Sequence, residues 1–209
     1  IEEADLIVVW GGNPVHTNVN LMNHIQKARK ERGAKLVVVD VYRTSTMATA
    51  DLGLVLRPGS DGALACAMMQ VILAELTDFD DTVRAHLATR SPEWAAQITG
   101  LSAAQIVEFA RLYGSTAKSF LRLGVGFTRS RNGAANMHAA SCLPALTGAW
   151  RHRGGGAFFA SFGIWELDTT LAHAGDRQAP STRKLDQSRI GAILCGDDDA
   201  LIGGPPVTA

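Results

Sequence analysis

Along the first 75 residues, unbroken apolar runs alternate with segments whose apolar positions recur at helical spacing. "DLIVVW" (5–10) and "KLVVVDV" (35–41) are apolar almost throughout, the signature of strands buried on both faces. A third such run lies within "ATADLGLVLRPG" (48–59), centred on 53–57. Between the first two runs, Thr17 or Asn18 is placed to cap a helix carrying Leu21, Met22, Ile25 and Ala28, and Gly33 stops it after a basic last turn. Ser60 is placed to cap a second helix over 61–75, with Leu64, Met68, Val71 and Ile72 on one face.

Residues 78–114 carry a helical pattern of their own and read as an insertion with structural work only. Ser91-Pro92-Glu93 starts one helix. In "LSAAQIVEFARLYG" (101–114), Ser102 and Gln105 form a capping box, Leu101 and Ile106 a hydrophobic staple, and Gly114 the stop. "SFLRLGVGFTRSRNG" (119–133) returns to strand character and ends in a Gly-x-Gly turn, followed by a helix over 134–146 with Pro144 near its end. From "RHRGGGAFF" (151–159) onward no periodicity persists, and extended loops with short turns are expected.

The fold class this pattern gives is α/β: a Rossmann-like parallel sheet flanked by helices, with a small helical insertion and an irregular C-terminal segment. The expected division is a nucleotide-binding domain over 1–156 and an irregular segment, 157–209, leading toward a further domain. In a parallel sheet, loops leaving strands for helices emerge at one edge, where ligands bind. Gly11–His16, Asp40–Thr44 and Pro58–Asp61 should therefore converge, joined by Gly124–Arg131 if the fourth strand enters the same sheet.

Charge and cysteine content narrow the function classes. Lys+Arg and Asp+Glu both number 20, so no global charge points to nucleic acid or an anionic membrane as partner. No apolar run is long enough to span a bilayer. Cys66, Cys142 and Cys195 are far apart and odd in number, which argues against a disulfide framework and a Cys-x-x-Cys metal site and favours a reducing, cytoplasmic setting. His16, His24, His138, His152 and His173 have no metal-ligand spacing, Cys66 and Cys142 read as small core hydrophobes, and "GDDDA" (196–200) reads as a solvated turn. The chain opens on the approach to a core strand and ends on "GGPPVTA", so it reads as an internal piece of a longer polypeptide.

The candidate chemistry lies in the four converging loops. In "VVWGGNPVHTN" (8–18), Gly11, Gly12 and Asn13 can offer backbone N–H groups to phosphate oxygens. Asp40, at the end of the second strand, is placed like the acid that takes a ribose hydroxyl. Ser60 and Asp61 open a helix, and the Asp61 carboxylate can accept the paired N1–H and N2–H donors of a guanine edge. Arg43, Arg57 and Arg129 can neutralise a pyrophosphate. After Gly11 and Gly12 come Asn-Pro-Val-His, so the third glycine of Gly-x-Gly-x-x-Gly is missing, which argues against an ordinary NAD site.

"WGGNPVHT", "KLVVVDVYRTSTMATADLGLVLRPGSDGALACAMM" and "RLGVGFTRSRNG…LPALTGAWRHRGGG" together resemble the molybdopterin oxidoreductase family, over most of residues 5–156. Its members carry molybdenum or tungsten on a bis(molybdopterin guanine dinucleotide) cofactor, as in formate dehydrogenases, nitrate reductases and dimethyl sulfoxide reductase. The resemblance implies cofactor contacts from Gly11, Gly12, Asn13 and Pro14, from Asp40, Tyr42, Arg43 and Thr44, and from Gly59, Ser60 and Asp61 at guanine or ribose. It also implies that Gly124, Val125 and Gly126 pass near the pterin. Relatives often carry Met-Gly-x-x-Gln-His there; this chain has Val125, Arg129 and Ser130, leaving Arg129 for a phosphate or a pterin polar group. No catalytic residue or metal ligand is expected within the chain. The implied partners are the remaining parental domains and possible electron-transfer subunits, with an iron–sulfur cluster in the parent's N-terminal part and no activity in this stretch alone. Two other readings stay open: a cofactor-free scaffold of the same fold, as in a large respiratory-complex subunit, and another kind of nucleotide-binding domain.

Overall fold

The computed structural model describes residues 1–159 and 189–195, with Asp168, Leu171, Ala174 and Arg177 between them. The segment 196–200 and His173 lie outside the described residues. Contacts divide the chain into Ile1–Ala160 and Ser161–Ala209.

The first unit runs β1 (Leu6–Trp10), α1 (Pro14–Thr17), α2 (Val19–Arg32), β2 (Lys35–Asp40), β3 (Leu52–Val55), α3 (Asp61–Glu75), α4 (Asp81–Leu87), α5 (Pro92–Thr99), α6 (Ala103–Gly114), β4 (Ser119–Leu123), α7 (Gly133–Leu146) and β5 (Gly156–Phe158). In the second unit a short helix, α8 (Ile190–Leu194), is described. The five strands form one parallel sheet in the order β3-β2-β1-β4-β5. β1 lies at the centre and is buried along its whole length, as its unbroken apolar run requires. Leu6, Val8 and Trp10 point to one face, into a core shared with α3, α5, α6 and α7. Ile7 and Val9 point to the other, where α2 packs Ile25 and Ala28 against them.

The helical stretch after α3 is part of the main core and not an appendage to it. Leu87, Ala95, Ile106, Phe109 and Tyr113 all belong to the cluster that covers the sheet. The capping box of α6 forms as expected: Gln105 N donates to Ser102 Oγ, and Ser102 N donates to Gln105 Oε1.

Several local expectations are corrected. β5, within the stretch expected to be irregular, adds a fifth strand beside β4; three residues led by glycine carry too little pattern to be recognised. Gly114 lies inside α6 and is not its left-handed stop; a methyl there would fall 2.6 Å from Leu76 Cδ1 of the neighbouring helix end. Asn18 sits at the N-cap of α2 and Ser60 at that of α3, but neither side chain makes a capping bond. Thr17 ends α1, donating its hydroxyl to Asn13 O, and the Ser60 hydroxyl donates instead to Arg57 O.

Candidate functional site at the sheet edge

The strand register places the loop ends together. Trp10 pairs with Val39 on one side and Leu123 on the other, and Asp40 pairs with Val55. The loops beginning at Gly11, Val41, Leu56 and Gly124 therefore leave one edge side by side, as a parallel sheet requires.

At the centre, two glycine loops touch backbone to backbone. Gly124 N donates to Trp10 O at 2.7 Å, and Gly126 N donates to Gly11 O at 3.2 Å. Gly11 holds φ +69°, and a methyl on Gly124 would fall 2.0 Å from Gly11 O. The close approach to Gly11 is thus made by the chain's own fourth loop, and the Gly11 N–H, expected to be offered to phosphate, donates instead to Val39 O at 2.9 Å. Gly12 is more open: a methyl there would meet only Gly124 Cα at 3.6 Å and Val9 Cγ1 at 4.0 Å. Among the described residues, the N–H groups of Gly12 and Asn13 have no acceptor.

Asn13 staples this loop to the next. Its Oδ1 accepts from Thr46 Oγ1 at 2.7 Å and from Thr46 N at 3.3 Å, while Val15 N donates to Thr46 Oγ1. Pro14 is buried at the start of α1. In the second loop Thr44 turns inward, its hydroxyl accepting from Met47 N, so its side chain is not presented at the edge. Tyr42 and Arg43 are exposed, and Arg43 with Thr44, Ser45, Met47 and Ala48 lines a recess of about 310 Å³. Arg129 is exposed on the fourth loop beside exposed Val125. Among the described residues, neither the Arg43 nor the Arg129 guanidinium has a partner. Arg57, grouped with them on sequence grounds, instead donates to Gln97 O at the end of α5.

Asp61 is nearly buried at the start of α3. Its Oδ1 accepts from Trp10 Nε1 at 2.9 Å, and its Oδ2 lies 3.4 Å from Asn136 Nδ2 on α7. Gly59, with φ +79°, makes the turn before it. Burial pushes the Asp61 carboxyl above its ordinary value, and the Trp10 bond opposes that rise. Asp40 is half-buried and accepts from Val41 N at 2.7 Å. Burial raises its carboxyl too, with a smaller push from the charge on Asp61.

These shifts fix a pH dependence. The folded chain holds both protons more tightly than the unfolded chain does. Their contribution to stability is full below the ordinary Asp value of 3.8 and is lost as pH rises through the raised folded values. In urea unfolding of the full-length protein, wild-type stability should fall across that window relative to a variant carrying Asp40→Asn and Asp61→Asn. Parallel stability curves for the two proteins would mean that neither carboxyl changes its proton affinity on folding.

The molybdopterin oxidoreductase family model matches residues 1–193. The chain belongs to that family. Probable oxidoreductase YoaE of Bacillus subtilis (strain 168) is 36% identical over 207 residues, covering 94% of this chain and 30% of that protein. Formate dehydrogenase H of Escherichia coli (strain K12) is 32% identical over 158 residues, covering 71% of this chain and 22% of that protein. This molybdopterin oxidoreductase chain thus spans less than a third of the length of these relatives. Acetylene hydratase from Pelobacter acetylenicus shares the fold, with a TM-score of 0.61 and 23% identity over 70% of this chain and 22% of that one.

Within this molybdopterin oxidoreductase domain, sequence reasoning missed four residues that build the edge: Trp10, Thr46, Asn132 and Asn136. Asn136 left one signal, an amide inside a helix, where Asn is disfavoured. Cys66 and Cys142 lie away from the edge, lining an apolar cavity of about 440 Å³ with Met69, Val83, Leu87 and His138. Burial pushes both thiols up, which suits small hydrophobes and not nucleophiles. Among the described residues no three His, Cys, Asp or Glu side chains are grouped to hold a metal, and no helix is long and apolar enough to cross a membrane.

Proposed function

We propose that this domain cradles one molybdopterin guanine dinucleotide of a bis-dinucleotide cofactor carrying molybdenum or tungsten, within a longer oxidoreductase. The observation that carries the reading is the pairing of two N–H groups, Gly12 and Asn13, with two guanidinium groups, Arg43 and Arg129, all without a partner among the described residues, on loops leaving one sheet edge. Backbone donors and free arginines suit a pyrophosphate. Asp40 is assigned to a ribose hydroxyl and Asp61 to the guanine edge. Gly59 and Ser60 set the turn that holds Asp61. Tyr42 offers an exposed ring at the rim, and Gly124, Val125 and Gly126 form the wall nearest the pterin.

When bound, the cofactor supplies the metal and pterin that exchange two electrons with substrate. The chain's own residues bind, orient and shield it. We assign no catalytic residue to this stretch and expect it to be inactive alone. Its three cysteines fall short of the four thiolates an ordinary iron–sulfur cluster takes, so any such cluster belongs to other parts of the parent.

One observation favours a cofactor-free scaffold instead. The Ser60 and Thr44 hydroxyls and the Asn13 carboxamide oxygen, all ligand candidates, are engaged within the protein. Elemental analysis and acid release of nucleotide from the purified full-length protein separate the readings. The cradle reading predicts bound molybdenum or tungsten, with two guanine moieties for each metal. Protein free of both metal and guanine would support the scaffold.

A further inference from the structure

We propose that Asn136, within α7, is a positioning residue that holds the Asp61 carboxylate toward the nucleotide. The inference rests on the reading of Asp61 as the guanine acceptor.

Asn136 is 2% exposed, and an amide buried in a helix needs partners. Its Oδ1 accepts from Gly62 N at 3.0 Å, across 74 residues of sequence. That N–H belongs to the first turn of α3 and has no partner within the helix. Because the Ser60 side chain does not cap α3, Asn136 does so from another element. The Asn136 Nδ2 lies 3.4 Å from both Asp61 Oδ2 and Gly59 O. Asn132, one turn earlier on the same side, donates to Gly59 O at 2.8 Å. The space is fitted to these groups, since a methyl on Gly62 would fall 2.8 Å from Asn136 Oδ1.

Trp10 and Asn136 therefore each meet one Asp61 oxygen, at 2.9 and 3.4 Å. Each carboxylate oxygen keeps further acceptor capacity, so these contacts orient Asp61 without exhausting it. The same amide joins two loops of the edge, the Gly59 turn and the loop that ends at α7.

The test measures guanine nucleotide remaining on the full-length protein through successive gel filtrations, beside urea unfolding of the same samples. Asn136→Ala should shed guanine about tenfold faster or more, the equivalent of one charge-assisted hydrogen bond. Ser102→Ala, which loses the α6 capping box away from the edge, serves as the control for lost stability and should shed at the wild-type rate. Asn136→Asp keeps an acceptor for Gly62 N, removes the donor to Asp61 and sets a like charge beside it. It should also shed faster, and it carries the test if the alanine variant fails to fold. Wild-type retention in the Asn136 variants, or equal loss in the Ser102 control, overturns the positioning role and leaves the cradle reading intact. Wild-type protein without guanine overturns both.

Discussion

Gly124→Ala should unfold the edge of this domain at a cost of about 3 kcal/mol or more, near the top of the usual range for one added methyl. The new carbon would fall 2.0 Å from Gly11 O, 2.5 Å from Gly11 C and 2.9 Å from Gly12 Cα. All three are backbone atoms, so no rotamer relieves the overlap. The end of β4 would have to leave β1, breaking the 2.7 Å bond from Gly124 N to Trp10 O. Phe127 would move with it, and its ring packs edge-on to Trp10 with centroids 5.2 Å apart. Gly12→Ala is the matched control, because the contacts of its added methyl begin at 3.6 Å. Its stability should stay within about 0.5 kcal/mol of wild type. Urea unfolding of the two full-length variants reads the difference. Equal midpoints would mean that the loop crossing is not what holds this edge.

The second large effect separates the two tasks of Asp61. Asp61→Ala leaves the fully buried indole N–H of Trp10 without an acceptor, which costs about 1–3 kcal/mol. Asp61→Asn keeps an oxygen for Trp10 and removes a charge that burial disfavours, but turns its NH2 toward the Asn136 donor, so near neutral pH it should lose less stability than the alanine variant. Its amide, however, puts a donor where the guanine edge also donates. Both variants should therefore lose guanine nucleotide about tenfold or more, although the alanine variant loses more stability. Full guanine content in Asp61→Asn would reduce Asp61 to a partner of Trp10.

β1 and β2 were legible because burial on both faces leaves an unbroken apolar run, while β3 and β4 are only partly buried, and the parallel pairing of all four dictates where the loops emerge. The polar partners were not legible. Trp10 and Asp61 are 51 residues apart, and Asn136 and Gly62 are 74 apart. No local pattern records which of several acceptors a hydroxyl or amide will find. For the same reason Ser60 was placed correctly at the start of α3 while its hydroxyl turned to Arg57 O, and Thr44 was placed in the right loop with its side chain turned inward. Gly11 and Gly124 show a further limit. Each signals a close backbone approach in the sequence, but only the fold reveals that they approach each other.

On the proposed reading, all four loops at this edge face one nucleotide-tailed cofactor. Hydrogen–deuterium exchange on the full-length protein, with its cofactor and after stripping, tests it most directly. Bound cofactor should slow exchange together in peptides covering 11–16, 40–46, 58–63 and 124–131, while those of α4, beside the apolar cavity, stay unchanged. Unaltered exchange in the four loops, with protection confined to other parts of the protein, would contradict the account.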